Sequence, residues 1–515
     1  MSRGPGRDRS VNVIDGALFK PLVLLSVPIV LTNLLQVGYN LADTFWVGRL
    51  GQEAVSAISF SWAIIFLLIS LAAGFTVAGT VLVAQNKGAG NEDRIGRVAG
   101  QTISFIVLLS AILSVGGYLF TPSMLQLIGA LPGTEEYTLA LEYTRTMFLG
   151  IPFVFGFFIF QSLLQGWGDS QTPFYLMLLG VLLNVVIDPF FILGFQDNVL
   201  FAALGLKSLE ASLYSATGFA GFGVQGAALA TIATRGFGAV IGVWLLLSGH
   251  VGIHLEPADF KLRLETVRRI IHIGAPASIE QSTIALSVTI LTALVALAGA
   301  EAVAAYGIGT RVTSMVVLPA IGVARGVETV VGQNLGAQQP DRAKRGVFAA
   351  VGLIVACLVA FSAVVYMFAA PLVDIFITGE GAASVIRLGA EYLQVVGATY
   401  AFLGAFYVIQ GGFRGSGSTR IAMVFAIFGF IVLRASLSYL FVESLSLGAT
   451  GVWYGEAAAN VLMVLAAGLY FLRGTWTDRV VSESAPGSAA EAQAVGDATS
   501  EGDGSTIANG GVDDR

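Results

Sequence analysis

The stretch Gln85-Asn86-Lys87-Gly88-Ala89 recurs 248 residues later as Gln333-Asn334-Leu335-Gly336-Ala337. The same spacing, without a gap, relates Gly51-Gln52-Glu53-Ala54-Val55 to Gly299-Ala300-Glu301-Ala302-Val303. This register holds over some 65 positions, which chance does not readily supply. The chain is therefore predicted to contain two copies of one structural unit.

The spacing between the copies shortens toward their ends. It falls to 247 where Gly168 meets Gly415, and to 225 where Gly223 meets Gly448. The first copy therefore carries about 22 additional residues, which we place in a loop over 196–221.

The composition places both copies in a membrane. Of 515 residues, 55% are hydrophobic and 12% charged, whereas soluble proteins have about 25% charged residues. About 20 apolar residues span a bilayer. Twelve apolar runs are long enough, at residues 21–46, 54–84, 98–120, 143–166, 173–195, 224–247, 270–297, 302–331, 347–373, 388–412, 421–442 and 451–472.

These runs predict an all-α membrane protein with twelve transmembrane helices in two six-helix lobes. Because six is an even number, both lobes have the same orientation and are related by a pseudo-twofold axis along the membrane normal. Two such lobes enclose a central cleft, which suits alternating access of a solute.

Basic residues predict the orientation. Eighteen Lys and Arg residues, Arg414 among them, fall on the side of the termini and four on the other side. Because cytoplasmic loops are enriched in Lys and Arg, we expect a multi-pass plasma membrane protein with both termini cytoplasmic. The predicted parts are a cytoplasmic segment 1–20, a first lobe 21–249, a cytoplasmic linker 250–269, a second lobe 270–475 and a disordered acidic tail 476–515.

Charge and motifs exclude several functions. The net charge of −6 comes from residues 478–515, so the remainder is neutral and no nucleic-acid partner is expected. The single cysteine, Cys357, excludes an internal disulfide and is expected to be a small buried hydrophobe. No His-Glu-x-x-His or Gly-x-Ser-x-Gly motif occurs, so no enzyme activity is predicted.

Ionisable side chains inside apolar runs are functional candidates, because an aspartate at the bilayer centre costs about 2.5–3.5 kcal/mol on insertion scales. Asp43 lies late in the first run and Asp188 in the fifth. Asn184 precedes Asp188 by one helical turn and shares its face. From the rise per residue, Asp188 and Thr231 of the sixth run approach one level in the membrane. Their hard oxygens predict a site for a small cation such as Na⁺, or for a shared proton.

Two structural interpretations stay open for these residues. In the first, Asp43 caps a helix end or pairs with Arg49. In the second, Asn184 and Asp188 serve only to hold neighbouring helices together. In the second lobe, the positions that repeat Asp43, Asn184 and Asp188 are occupied by Leu291, Ile431 and Ala435. The cation site is therefore expected in the first lobe alone.

The second lobe has its own charged residues within apolar runs. Glu280 lies one turn beyond Pro276, where it can meet a cationic solute. The alternative for such residues is structural pairing. The expected ion pairs are Arg434 with Glu456 and Arg325 with Glu328.

Several of these motifs together resemble the multidrug and toxic compound extrusion (MATE) family. The resemblance covers roughly residues 15–475 and rests on Pro28, Asp43-Thr44-Phe45-Trp46-Val47-Gly48, the two Gln-Asn-x-Gly-Ala segments, Gly168-Asp169-Ser170-Gln171-Thr172-Pro173 and the segment from Gly223 to Thr231. Asn184 and Asp188 together make it more similar to the DinF-like and archaeal branch than to the NorM-like branch.

The resemblance implies secondary active efflux of cationic or amphipathic compounds, driven by inward movement of Na⁺ or H⁺. It places a buried cation site on Asp43, Asn184, Asp188 and Thr231, with Ala227 as a carbonyl ligand. Glu280 matches an acidic position of NorM-like members. We expect substrate contacts at Glu280, Gln36, Asn40 and Gln161, a monomer surrounded by lipid, and no cofactor besides the coupling ion.

Two other functions remain as alternatives. A lipid-linked oligosaccharide flippase of the same superfamily would favour a more basic cavity and often additional helices. An intramembrane enzyme would need a catalytic constellation. A purely structural membrane protein would not explain the polar cluster in one lobe.

Overall fold

The computed structural model describes residues 9–379 and 381–477. Within them, twelve helices are long and apolar enough to cross a membrane, which confirms the predicted fold class. They are α1 (Phe19–Val47), α2 (Gln52–Gly88), α3 (Glu92–Leu127), α4 (Glu135–Trp167), α5 (Gln171–Leu193), α6 (Val224–Ser248), α7 (Leu264–Ala296), α8 (Ala300–Gly336), α9 (Pro340–Met367), α10 (Ala382–Gly415), α11 (Thr419–Glu443) and α12 (Ala449–Leu472).

Helix α3 illustrates how these helices meet lipid. Leu108, Ile112, Val115 and Leu119 follow one another at intervals of three or four residues, and all are exposed. An apolar stripe of this kind on the outer surface is stable only against hydrocarbon. Cys357 on α9 is also exposed, so the expectation of a buried cysteine was wrong.

The turn between α4 and α5 explains one of the motifs. Gly168 has φ +95°, a left-handed conformation that favours glycine. Asp169 then accepts hydrogen bonds at Oδ1 from the backbone N–H groups of Gln171, at 3.0 Å, and Thr172, at 2.9 Å. These N–H groups at the start of α5 have no partner within the helix. The motif therefore fixes the entry to the helix that carries Asn184 and Asp188.

The inserted segment 196–221 is more ordered than a loop. It contains helices Val199–Ala203 and Lys207–Thr217. The Glu210 carboxylate accepts a hydrogen bond from the Asn198 backbone N–H at 2.5 Å. The insertion is therefore folded onto itself.

The structure adds two observations at the predicted part boundaries. Helix α7 begins at Leu264, inside the predicted linker 250–269. Near the predicted tail, Trp476 is buried and donates from Nε1 to the Phe471 carbonyl at 3.0 Å. The remainder of the predicted tail, 478–515, and residues 1–8 of the amino-terminal segment lie outside the described residues.

Helices α10 and α11 are interrupted within the second lobe. Helix α10 contains a 3₁₀ turn at Gly397–Thr399, and α11 contains a π-helical stretch at Ile427–Leu433. Arg434 follows that stretch directly. Such stretches are frequent near functional sites, and here they flank a buried polar cluster.

The two lobes meet closely at the end of the bundle that carries the termini. A Cβ atom on Gly88 would lie 1.9 Å from the Gln333 carbonyl oxygen, and one on Gly336 would lie 2.1 Å from the Gln85 carbonyl oxygen. These two contacts are related by the internal repeat. Gln333 also donates from Nε2 to the Gly166 carbonyl at 3.0 Å. The cleft is therefore closed at this end.

Candidate functional site

A cavity of about 380 Å³ lies mainly in the first lobe, walled by α1, α2 and α4. Its lining is completed by Met177 of α5, Thr231 and Arg235 of α6, and Ile321 and Arg325 of α8. The predicted site residues that line it are Gln36, Asn40, Asp43, Gln161 and Thr231. Glu280 is not among the lining residues.

Asp43 stands on the face of α1 that lines this cavity. One turn earlier, the Tyr39 hydroxyl donates to Thr231 Oγ1 at 2.8 Å and ties α1 to α6. Asp43 Oδ1 is buried without a hydrogen-bond partner in the described chain. Arg49 packs over the Phe45 ring, 4.8 Å from its centroid. No ion pair joins Asp43 to Arg49 within the described residues, so the pairing interpretation is wrong.

Asn184 and Asp188 lie on α5 with 0% exposure. Asn184 donates from Nδ2 to Asp188 Oδ1 at 2.7 Å, while Asn184 Oδ1 and Asp188 Oδ2 have no partner in the described ranges. The buried Tyr143 side chain interacts electrostatically with Asp43, Tyr39 and Asp188. Both carboxylates therefore lie within electrostatic reach of the same tyrosine side chain.

The chemistry of this neighbourhood suits a small hard cation or a proton. It offers carboxylate, amide and hydroxyl oxygens, which Na⁺ and similar ions prefer to sulfur or imidazole ligands. No group of three His, Cys, Asp or Glu side chains suitable for a metal occurs in residues 9–379 and 381–477. Ala227 is fully buried on α6, one turn before Thr231, and its role as a carbonyl ligand stays a prediction.

Arg235 is a cavity residue that sequence reasoning missed. It lies on α6 one turn beyond Thr231 and is only 6% exposed. It donates to Gln36 Oε1, one of the predicted substrate contacts, and Gln36 in turn donates to Asn40 Oδ1 at 3.0 Å. A single arginine in the otherwise uncharged run 224–247 was the signal available in the sequence.

The second lobe holds Glu280 in an ion pair. Arg414 Nη1 lies 2.5 Å from Glu280 Oε1, and Arg414 Nε lies 2.6 Å from Glu328 Oε1. All three side chains are buried. The assignment of Arg414 to a cytoplasmic connection was therefore wrong, although removing this residue leaves the charge bias in place. The predicted pair of Arg325 with Glu328 is confirmed at 3.5 Å.

A second buried cluster occupies the other half of this lobe. Arg434 contacts Glu456 at 3.2 Å, which confirms the predicted pair, and donates to Asn460 Oδ1 at 2.8 Å. The 225-residue spacing makes Glu456 the counterpart of Thr231, and Asn460 that of Arg235. At the positions that repeat Thr231 and Arg235, the second lobe therefore has a carboxylate and an amide that both contact the guanidinium of Arg434.

Comparisons with known proteins agree with this architecture. The MatE family model matches residues 28–190 and 276–440, two ranges that begin 248 residues apart as the internal repeat does. The chain is 28% identical to the probable multidrug resistance protein YoeA of Bacillus subtilis, over 87% of this chain and 92% of that protein. It is 26% identical to the multidrug export protein MepA of Staphylococcus aureus, over 89% and 95% of the two chains.

Solved structures share the fold. One is described as the outward-facing conformation of a multidrug resistance MATE family transporter. It superposes with a TM-score of 0.80 at 24% identity, covering 92% of this chain and 99% of the other.

Proposed function

The chain belongs to the MATE family, and from that premise we propose that it exports cationic or amphipathic organic compounds in exchange for Na⁺ or H⁺ by alternating access. The observation that carries the proposal is that Asp43, on the wall of the cavity, and Asp188, on the neighbouring helix α5, each have a buried carboxylate oxygen without a hydrogen-bond partner in the described residues. The names of relatives matched along most of the chain support multidrug export.

The protein is a multi-pass membrane protein of a transporter family, and it is not an enzyme. We further propose that it is a lipid-embedded monomer of the plasma membrane with cytoplasmic termini, because basic residues concentrate on the side of the termini. The closed end of the cleft then faces the cytoplasm. In that orientation the structure corresponds to the outward-facing state.

The proposed cycle depends on the first lobe. A coupling cation that enters from outside neutralises the carboxylates of Asp43 and Asp188, and so weakens retention of a cationic compound at Asp43. Tyr39 and Thr231 connect this event to the wall of the cavity, because their hydroxyls join α1 to α6 at 2.8 Å. The cation must bind the two arrangements of the lobes with different affinities, since equal affinities would shift no equilibrium.

The assignment to the DinF-like branch belongs to the same proposal. It is supported by Asn184 and Asp188, which are both buried in the first lobe, whereas their second-lobe counterparts are Ile431 and Ala435. On this assignment Ala227 contributes its carbonyl oxygen to the same site.

Reconstituted vesicles test the proposal. Uptake of the fluorescent cation rhodamine 6G is measured with an imposed Na⁺ gradient and, separately, with a pH gradient. We expect at least one gradient to drive transport, and Asp43→Asn or Asp188→Asn to lower the driven rate about 10-fold or more, which corresponds to about 1.4 kcal/mol or more of activation free energy.

Asp374→Asn is the matched control, because it removes an exposed carboxylate outside the cavity. It should leave the driven rate unchanged. Undiminished driven transport in Asp43→Asn would contradict the assignment of the coupling-cation site to the first lobe.

A further inference from the structure

Arg235 carries a charge that no neighbouring carboxylate balances. Buried Arg414 and Arg434 each have an acidic partner. For Arg235 no ion pair is found within residues 9–379 and 381–477. An uncompensated charge in the low-dielectric interior of a membrane protein is costly, so its retention beside a cavity indicates a function.

The contacts of Arg235 hold the guanidinium in place without neutralising it. One Nη atom donates to Gln36 Oε1, and the other lies 3.0 Å from the Met177 sulfur. The Tyr39 and Phe157 rings lie under it, with centroids 4.9 and 5.1 Å from Cζ. A guanidinium has five N–H donors. In the described chain, protein acceptors engage only part of that capacity.

The cavity wall carries this positive charge and also a negative one. Its charged lining residues are Asp43, Arg235 and Arg325. Arg325 already has Glu328 as a partner at 3.5 Å. The cavity wall therefore presents one carboxylate and one guanidinium without ion-pair partners. The same cavity lining includes apolar and aromatic side chains, among them Trp62, Phe66 and Phe158.

We propose that Arg235 forms an anion subsite, which binds the carboxylate or another acidic group of an amphipathic aromatic substrate. The planar guanidinium matches a carboxylate in a bidentate geometry. The fixed position of Arg235, held by Gln36 and the two rings, provides that geometry before the substrate arrives. This inference rests on the proposed transport function and adds to its substrate class amphipathic aromatic compounds that carry an acidic group.

The test uses two probes that differ in one group. Rhodamine 6G is an ethyl ester, and rhodamine 19 is the corresponding free acid, whose carboxylate is ionised at neutral pH. Binding of each probe to the purified protein is measured by fluorescence anisotropy, and transport is measured in vesicles. We expect Arg235→Gln to weaken binding of the acid about 10- to 100-fold, as for loss of a charged hydrogen-bonded contact, and to change binding of the ester less than about 2-fold.

Two further variants make the result decisive. Arg311→Gln removes an exposed arginine that does not line the cavity, and should alter neither probe. Arg235→Lys keeps the charge but not the planar fork, and should restore part of the preference for the acid. If Arg235→Gln does not fold, Arg235→Lys is compared with the native protein instead. If binding of the acid and binding of the ester then change by the same factor, the proposal is overturned.

The outcomes separate this inference from the proposed function. If Arg235→Gln weakens the binding of both probes equally, Arg235 only supports the wall of the cavity, and the anion subsite is rejected. Selective weakening of the acid in the binding assay, without transport of either probe in vesicles, leaves the subsite in place and contradicts the export function instead.

Discussion

Asn184 donates from its side-chain amide to Asp188 Oδ1 at 2.7 Å across one turn of α5, and neither side chain has exposed surface. This contact stabilises the charged form of the carboxylate and orients its other oxygen. In the proposed cycle, that second oxygen is free to contact the coupling ion.

Asn184→Ala is therefore predicted to weaken cation coupling without abolishing transport. Loss of a hydrogen bond to a charged group is worth about 1.5–3 kcal/mol. The concentration of driving cation that gives half-maximal transport should rise about 10-fold or more. It is measured by titrating Na⁺ or H⁺ in vesicles. Ser212→Ala, an exposed position in the insertion, serves as the control, and an unchanged titration for Asn184→Ala would contradict a role in coupling.

Glu280 is predicted to contribute to stability and not to substrate affinity. It is paired with Arg414 at 2.5 Å and does not line the cavity. Removing one partner of a buried ion pair costs about 3–5 kcal/mol, so Glu280→Ala should lower the thermal unfolding temperature clearly. The half-saturating concentration of rhodamine 6G should stay within about 2-fold for protein that folds. A large increase would instead restore Glu280 as a substrate contact.

The Arg434–Glu456 pair is predicted to show strong non-additivity. Arg434→Met leaves the buried Glu456 carboxylate without its cation and should destabilise the protein by about 3–5 kcal/mol. Adding Glu456→Met removes that unpaired charge and should recover most of the loss. Thermal unfolding of both single variants and the double variant measures the coupling. Additive effects would mean that the two side chains act independently.

The glycine contacts between the lobes are predicted to set which end of the cleft is closed. A methyl group on Gly88 would collide with the Gln333 carbonyl oxygen at 1.9 Å. Overpacking of this kind costs about 1–3 kcal/mol. If it acts on the closed state alone, Gly88→Ala should shift the equilibrium toward opening at this end about 5- to 150-fold.

Spin-label distances between α2 and α8 measure this shift. Gly352→Ala is the matched control, because a Cβ atom there meets no neighbouring atom within 4 Å. An unchanged distance distribution for Gly88→Ala would mean that the contact does not govern closure.

The sequence predicted the twelve helices and the two lobes because both signals are strong and local. A span is a continuous apolar run, and the copies share an ungapped register around Gly88 and Gly336. The polar residues of α5 and α1 were also found, since a carboxylate in an apolar run is conspicuous. The folding of the inserted segment 196–221 was missed, because its apolar runs are too short to span a bilayer and the segment was identified only from the change in spacing between the copies.

Arginine partners were harder to predict. Arg414 lies near the end of an apolar run, where a basic residue usually belongs to a connection, and its acidic partners come from α7 and α8. Arg235 has no acidic partner within the described residues, so no complementary residue drew attention to it. Which end of the cleft is closed also depends on packing between lobes, and a transporter sequence encodes both arrangements.

The guanidinium of Arg434 has a consequence for the energetics of the whole molecule. It is covalently attached, so a membrane gradient can neither load it nor discharge it. In the proposed cycle, the carboxylates of the first lobe therefore take their positive ion from the gradient, whereas Glu456 of the second lobe has a guanidinium in place of such an ion. The number of ions moved per turnover is then limited by a single half of the molecule.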